Sequence, residues 1–527
     1  MHPGPALTGR GRVHPHARTQ GLPAPITVTS IQRRLVRAAA APLLAALALA
    51  LAPGAEAARV LVMGPTGHVA ARQDPFVPAA APTPAPPVTA SVAAARRTAA
   101  TARTAKKAKK PPQKTVASEL VRLRNSGAIT PAQYATYNSS FNAALGSERR
   151  LRGTRATELE AVIENLHNIA AAGKLTAGRL PALFETLDMN RQWWTTGPLL
   201  SPGQYVEFSG SQLVWEYYAG QGIELQVLAT FGKADGLYTG GPSDYAEMRE
   251  VLSEMVPLAV NRAGGLVWEY YFPFDGGVPP WTSAMSQGTG IEALTRASQA
   301  FSDPNYLSLA HQALPVFTAP PPVGVRVPTA LGARYIQYTF APSTLILNAF
   351  LQSLIGLYDY AQVSRDPLAQ QLFDAGNAEA QAEVPSFDTG AWSLYQPGVE
   401  DTLSYHELVT GFLQQLCART QAPVYCVTAQ HFTTYLTTPP TLGLLTQQVR
   451  KGKTSSISFQ LSKYSHVGIV VIGPGGNTLF STSASFGYGS RSFTVPPLKH
   501  KGTYTIRLAA TDLAGNFNRI VGTIQVS

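Results

Sequence analysis

The side chains best suited to chemistry in this chain are aromatic and polar groups crowded into its middle. All six tryptophans, Trp193, Trp194, Trp215, Trp268, Trp281 and Trp392, fall within or at the edge of residues 197–440. Tyrosines and carboxylates stand beside them, as in Val214-Trp215-Glu216-Tyr217-Tyr218, which returns 53 residues later as Val267-Trp268-Glu269-Tyr270-Tyr271. A ring with an apolar face and a polar tip is suited to stacking on a sugar. Glu216, Glu269, Asp388 and Asp401 could serve as the acid and base of a glycoside hydrolase or polysaccharide lyase. The stretch has no P-loop, Rossmann glycine fingerprint, His-Glu-x-x-His pair or Gly-x-Ser-x-Gly elbow. Nucleotide chemistry and the common hydrolase triads therefore have no support. The two cysteines, Cys417 and Cys426, enclose eight residues and cannot make a four-ligand zinc site. They read as a disulfide in an oxidising compartment, or as two free buried thiols.

The elements that must carry these groups are mainly helical. The repeated string and the helical pattern between its copies suggest repeated helical hairpins closing into an (α/α) toroid over residues 197–440. Residues 116–196 read as a helical packing or spacer segment. Thr130-Pro131 marks a cap with proline at the first helical position, and Leu159, Val162, Ile163 and Leu166 form an apolar stripe. Residues 441–527 turn to short β-branched runs with Gly/Asn punctuation, which predicts a small Ig-like β-sandwich. Residues 58–115 are rich in Ala, Pro and Lys and predict a disordered linker. Ahead of them, Arg33, Arg34 and Arg37 precede a 15-residue apolar run, and Ala55-Glu56-Ala57 follows it. Residues 1–57 thus read as a signal peptide with a long n-region, too short in its apolar run to span a bilayer. The expectation is a protein secreted or associated with the cell envelope.

The net charge of +11 divides unevenly. Residues 1–115 carry 16 Lys and Arg against 2 Asp and Glu, residues 197–440 carry 8 against 21, and residues 441–527 carry 9 against 1. The positive charge lies outside the unit most suited to chemistry, so a nucleic-acid partner is not indicated.

Several strings in that unit occur together in one order. They are Gly220-Gln221-Gly222, Leu228-Ala229-Thr230-Phe231-Gly232-Lys233-Ala234, the run Pro279-Pro280-Trp281-Thr282-Ser283-Ala284-Met285-Ser286-Gln287-Gly288, Tyr335-Ile336-Gln337-Tyr338, Leu347-Asn348-Ala349-Phe350, Leu354-Ile355-Gly356-Leu357-Tyr358-Asp359, Asp388-Thr389-Gly390-Ala391-Trp392-Ser393-Leu394-Tyr395, and Ser404-Tyr405-His406. In this order, over roughly residues 204–420, the chain resembles the C-terminal domain of D-glucuronyl C5-epimerases. The resemblance implies an (α/α) toroid that epimerises uronic acid within a polysaccharide: a proton leaves C5, α to a carboxylate, and one returns on the other face. Such a reaction needs two acid/base groups and stabilisation of the enolate-like charge, and no redox cofactor or metal. Matched string by string, the family's tyrosines fall on Tyr338, Tyr395 and Tyr405 as catalytic groups. Gln337, His406, Trp281, Gln287, Lys233, Arg334, Tyr271 and Trp392 then stand as substrate-binding candidates. The implied partner is a uronic-acid-containing or other cell-envelope glycan.

The chain departs from the family pattern at two points. Gln337 stands where the family has a glutamate before its tyrosine, and Gln396-Pro397-Gly398 stands where a basic residue is expected. Glutamine cannot shuttle a proton. A non-catalytic glycan-binding protein and a hydrolase or lyase on the same toroid stay open beside the epimerase.

Overall fold

The computed structural model describes residues 57–78 and 114–527. The signal-peptide reading of residues 1–57 falls almost wholly outside the described residues, as does the linker reading over 79–113.

Residues 57–78 depart from the linker expectation. They form two antiparallel strands, β1 (Ala57–Met63) and β2 (Val69–Pro78). β1 also pairs in parallel with β3 (Tyr205–Phe208), which continues antiparallel to β4 (Trp215–Tyr218) and β5 (Gly222–Leu225). The sheet order is β2-β1-β3-β4-β5. Ala58, Val60, Met63 and Val77 are buried, and this alternation of apolar side chains is what makes the segment a strand pair. The Pro- and Ala-rich average over residues 58–115 hides it.

Four helices follow: α1 (Val116–Asn125), α2 (Pro131–Glu148), α3 (Thr154–Ala171) and α4 (Leu180–Thr196). Thr130 caps α2 in a capping box with Gln133, and Pro131 takes the first helical position. Leu159, Val162, Ile163 and Leu166 are buried. Two buried polar side chains dock this segment on the β4–β5 hairpin. Glu158 accepts from the Tyr217 hydroxyl at 2.8 Å and from the amides of Gly220 and Gly222. Asn190 extends the strand edge, accepting from Ile223 N–H at 2.8 Å and donating to Ile223 O at 2.6 Å.

The middle of the chain is built from four helical hairpins. α5 (Val227–Gly240), α7 (Ala284–Phe301), α9 (Leu347–Ser364) and α11 (Leu403–Thr420) pack one on the next as an inner row. Each is backed by an outer helix: α6 (Tyr245–Met255), α8 (Asn305–Ala313), α10 (Pro367–Glu383) and α12 (Pro423–Tyr435). α7 and α9 are buried nearly all round, as befits central helices. Their contact is close enough to require glycine: a Cβ on Gly288 would lie 2.6 Å from Ser353 Cα, and one on Gly356 would run into the Gly288 carbonyl. Cys417 and Cys426 form a disulfide across the α11–α12 turn, with Cα atoms 4.9 Å apart.

The first three outer helices end in a proline-led 3-10 turn, at Val256–Leu258, Leu314–Phe317 and Val384–Phe387. Each turn leads into a two-stranded hairpin before the next inner helix: β6 (Val260–Arg262) with β7 (Gly265–Val267), β8 (Arg326–Pro328) with β9 (Ala333–Tyr335), and β10 (Leu394–Gln396) with β11 (Val399–Glu400). This helix–helix–turn–hairpin unit is the internal repeat. The copies of the Val-Trp-Glu-Tyr-Tyr string precede α5 and α7, but one lies in the β4 strand and the other follows β7.

Residues 442–526 hold strands β12 (Leu442–Leu444), β13 (Gln448–Val449), β14 (Ser455–Leu461), β15 (Ser465–Ile472), β16 (Thr478–Phe486), β17 (Gly489–Val495), β18 (Gly502–Asp512) and β19 (Phe517–Val526). They form two sheets, β12-β14-β17 and β13-β19-β18-β15-β16. Ile457, Phe459 and Leu461 of the first meet Val467, Ile469, Ile506 and Leu508 of the second in one core, which makes the unit a two-layer sandwich. Buried polar contacts fix it to the helices: Lys463 pairs with Asp512 at 2.6 Å and donates to Tyr435 O, and Glu400 accepts from the amides of Tyr464 and Tyr488.

Candidate functional site

Tyr338, Tyr395 and Tyr405 lie about 60 and 10 residues apart in sequence and meet at one place. The backbone of the Tyr338 segment is locked to the segment ahead of α7: Ala284 N–H donates to Ile336 O at 3.0 Å, and Thr339 N–H to Thr282 O at 3.1 Å. Ser283, the N-cap of α7, donates its hydroxyl to Gln337 Oε1 at 3.1 Å. Tyr395 is carried by β10, and Tyr405 sits in the first turn of α11, where its amide donates to the Thr402 cap. The Tyr395 and Tyr405 rings are 5.1 Å apart, and the Tyr338 and Tyr395 hydroxyls are within hydrogen-bonding reach.

Around Tyr338 the rings form a cage. Phe340 stacks on it at 5.2 Å, with Phe274 at 5.5 Å and Trp281 at 5.7 Å. Trp281 in turn stacks on Tyr270 at 4.2 Å, and the two residues form a backbone bridge. The Tyr270 hydroxyl accepts from Leu228 N–H at 3.2 Å and donates to Gln226 Oε1 at 3.1 Å. Gln226 Nε2 donates to Glu216 Oε2 at 2.9 Å, as does the Tyr218 hydroxyl at 2.8 Å. Tyr205 lies opposite Glu216 in the β3–β4 register and interacts electrostatically with Tyr405. The cluster thus runs from the sheet to the hairpins.

Burial is the first cause that raises the phenols of Tyr338, Tyr395, Tyr270, Tyr205 and Tyr218 above the ordinary tyrosine value. Near neutrality these hydroxyls are protonated and act as donors. Burial also raises the Glu216 carboxyl, against the pull of its bonds from Gln226 and Tyr218. The N-termini of α5, α7 and α11 all meet the cluster, through Leu228, Ser283 and Tyr405. A helix N-terminus carries roughly half a positive charge, so three of them together favour an anionic group such as a carboxylate.

Residues 264–434 match the family described as D-glucuronyl C5-epimerase C-terminus. A D-glucuronyl C5-epimerase of Caenorhabditis elegans is 38% identical over 130 residues, covering 22% of this chain and 21% of that protein. An uncharacterized protein of Methanocaldococcus jannaschii is 25% identical over 137 residues, covering 25% of this chain and 44% of that one. The chain therefore spans about a fifth of the first relative's length and less than half of the second's. Among solved structures, the endo-β-1,4-glucanase CMCax from Acetobacter xylinum is 14% identical with a TM-score of 0.30, covering 42% of this chain and 71% of that one. The resemblance to a carbohydrate epimerase family thus covers the hairpins that carry all three tyrosines.

The other expected site residues divide. Gln337 and Trp281 stand beside Tyr338, although Trp281 is itself buried and supports the ring cage. Gln287 is fully buried and holds the Trp268 backbone through both ends of its amide. His406 and Trp392 are buried behind the β10 hairpin, stacked at 3.8 Å. Ser393 bridges His406 Nδ1 at 2.7 Å and Asp401. Because serine stands between acid and imidazole, and all three are buried, this is a brace for Tyr395 and Tyr405 and not a hydrolytic triad. Lys233, Arg334 and Tyr271 lie away from the cluster. Lys233 is buried against Glu207 at 3.2 Å and Glu247 at 3.3 Å, Arg334 against Glu383, and Tyr271 beside Glu269 and Arg179. The resemblance places Lys233 and Arg334 at the cleft, but a buried charge must be paired, and both are paired inside the protein.

Of the four carboxylates considered for hydrolysis, three are spent elsewhere. Glu269 pairs with Arg179 and Arg262, Asp388 holds His431 and Tyr435, and Asp401 holds Ser393. Glu216 adjoins the tyrosines without such a tie, whereas Asp401, near Tyr395, is held by Ser393. The groups that sequence reasoning missed are Tyr205, Tyr218, Gln226 and Tyr270. Tyr270 was one residue from the named Tyr271; the alternation of faces along an extended segment separates the two. A larger cavity of about 600 Å³ lies away from the cluster, lined by Arg72, Glu207, Asp244, Glu247 and Glu250. Arg72 and Glu207 there are spent on each other. A smaller one of about 200 Å³ opens beside Tyr205, between Arg59 and Gly203.

Proposed function

We propose that this protein is a uronate C5-epimerase-like enzyme that acts on a polysaccharide of the cell envelope after export. The observation that carries this reading is the convergence of Tyr338, Tyr395 and Tyr405, from three separate elements, at the N-termini of helices within the family-like region. The substrate carboxylate would lie against the helix N-termini, whose dipoles stabilise the enolate that forms as the C5 proton leaves. A protonated phenol on one face can then return a proton. The ring cage of Trp281, Phe274 and Phe340 excludes water from that phenol and supplies apolar surface for a sugar. The Ig-like sandwich serves as a fixed accessory domain, and its basic surface suits an anionic envelope.

The test is incubation of the purified protein with glucuronate-containing polymers in deuterated water. Deuterium at C5 is expected, and Tyr338→Phe should lower the rate by about 10²–10⁴-fold, the usual worth of a positioned acid or base. Absence of C5 deuterium with every uronate polymer tried would overturn the reading.

A further inference from the structure

The tyrosine cluster has an unfilled requirement. Removing a proton from carbon needs a base that is already deprotonated, and the buried phenols around Tyr338 are held in the protonated form. Gln337 offers no carboxylate. Asp401, near Tyr395, is buried and engaged by Ser393. Asp275, which acts on Tyr338 electrostatically, is exposed on a turn and no hydrogen bond among the described residues fixes its carboxylate.

Glu216 meets the requirement from a part of the chain outside the family match, which begins at residue 264. Its Oε2 is held by Tyr218 and Gln226, at 2.8 and 2.9 Å, so the carboxylate cannot swing away. Through Gln226 it joins Tyr270, and through the Tyr270–Trp281 stack it joins the cage of Tyr338. Both bonds fall on Oε2, and among the described residues no donor holds the other oxygen, Oε1. That oxygen lies 3.9 Å from the place a side chain on Gly203 would begin. Gly203, whose φ of +79° suits glycine, lines the small cavity beside Tyr205, so Oε1 lies next to that cavity. One oxygen fixed and one free is the arrangement a general base needs.

We propose that Glu216 is the general base of the tyrosine cleft, standing in from β4 for the carboxylate that is missing before Tyr338. This rests on the epimerase reading above. In the forward step the C5–H bond breaks, its proton goes to Glu216 Oε1, and the electron pair moves into the substrate carboxylate as an enolate. A phenol of the Tyr338–Tyr395 pair then gives its proton to C5 on the opposite face as the enolate collapses. The phenolate left behind is reprotonated by solvent, and Glu216 releases its proton to solvent through the cavity at Gly203. Charge and protons balance without an oxidant or a second reactant. The ionisable groups facing Glu216 are Tyr205 from β3, Tyr218 from β4 and Tyr270 from the segment after β7. All three are phenols held protonated, so an acid limb in the rate reports the carboxylate.

The experiment measures C5 deuterium exchange by wild type, Glu216→Gln and the double variant Glu216→Gln/Gln337→Glu, with near-ultraviolet circular dichroism to check folding. Expected are a 10²–10⁴-fold loss in kcat with little change in KM for Glu216→Gln, and partial recovery in the double variant. In wild type the rate should fall as pH drops, with a midpoint above the ordinary carboxylate range. Exchange by wild type that survives in Glu216→Gln overturns the assignment and leaves the epimerase reading standing. Absence of exchange in wild type overturns both. Should Glu216→Gln not fold, a wild-type rate that is flat between pH 4 and 7 overturns the assignment.

Discussion

The brace behind the candidate site makes a pH-dependent prediction. Asp401, Ser393 and His406 are buried, and Ser393 Oγ lies 2.5 Å from Asp401 Oδ2 and 2.7 Å from His406 Nδ1. His406 Nε2–H donates to Phe432 O at 2.9 Å, leaving Nδ1 as the acceptor of a neutral imidazole. Burial pushes the Asp401 carboxyl up to about 7 and the His406 imidazole down to about 4. The Asp401 value lies above that of the unfolded chain. Its contribution is therefore fully present below about pH 4 and is lost as pH rises through 7. The His406 value lies below that of the unfolded chain, so its contribution is present above about pH 6.5 and is lost as pH falls through 4. At about 1.4 kcal/mol for each pH unit separating the two states, the first is worth about 4 kcal/mol and the second about 3 kcal/mol. In the wild type the two slopes oppose each other between pH 4 and 6.5 and nearly cancel. Asp401→Asn keeps the shape and replaces the protonated acid with an amide donor to Ser393. It should gain on the wild type by about 4 kcal/mol between pH 4 and pH 8, and its own stability should fall by about 3 kcal/mol on acidification to pH 4. Urea unfolding at a series of pH values measures this, followed by tryptophan fluorescence, since Trp392 stacks on His406. Wild-type and variant curves that stay parallel within about 1 kcal/mol from pH 4 to 8 would refute the reasoning.

The inner helices and the disulfide give two simpler tests. Gly356→Ala places a methyl against the Gly288 carbonyl in the α7–α9 contact, which must open; a loss of about 1–3 kcal/mol is expected, read as a lower thermal midpoint, and an unchanged midpoint would count against that packing. Cys417→Ser with Cys426→Ser releases a loop of about ten residues and should cost about 2–3 kcal/mol in urea unfolding, with no gain in stability of the wild type over the variant once both are kept in reductant.

The three tyrosines and the helical middle were legible because they lie in strings whose order is distinctive. The sheet that borders the candidate site was not. Val60, Leu61, Val62 and Met63 form a strand whose alternation is too short to stand out against some fifty surrounding residues of Ala, Pro and Lys. Its register with β3 depends on residues more than 140 positions away, which no local pattern reports. The structural repeat has a weaker sequence signal than the shared pentapeptide: Pro257, Pro315 and Pro385 each open the 3-10 turn after an outer helix, while the Val-Trp-Glu-Tyr-Tyr string takes different backbones in its two copies. In the first copy Glu216 and Tyr218 face the cluster, whereas in the second Tyr270 faces it and Glu269 and Tyr271 turn to Arg179. The side-chain direction follows from the strand pairing in one copy and from the bridge to Trp281 in the other.

The acid excess of residues 197–440, 21 Asp and Glu against 8 Lys and Arg, would repel a polyanionic glycan if it were spread evenly. The charges are not distributed as the sum implies. Lys233, Arg262, Arg296, Arg334 and Arg419 are each spent on internal carboxylates: Glu207, Glu269, Asp235 with Glu292, Glu383, and Asp359. These pairs brace the sheet, the hairpins and the inner helices, and they neutralise the acids they bury. Of the remaining acids, Asp244 and Glu250 lie at the larger cavity, away from the tyrosines. What an approaching carboxylate meets at the cluster is neutral hydroxyls, the Glu216 carboxylate held from behind, the exposed Asp275 near Tyr338, and the N-terminal ends of three helices. Over a Debye length of about 8–10 Å the distant acids are screened, and the nearby dipoles decide. The missing family cation is therefore consistent with a site that holds its anionic group by helix N-termini and hydrogen bonds, which discriminate by geometry more than a lysine's point charge does.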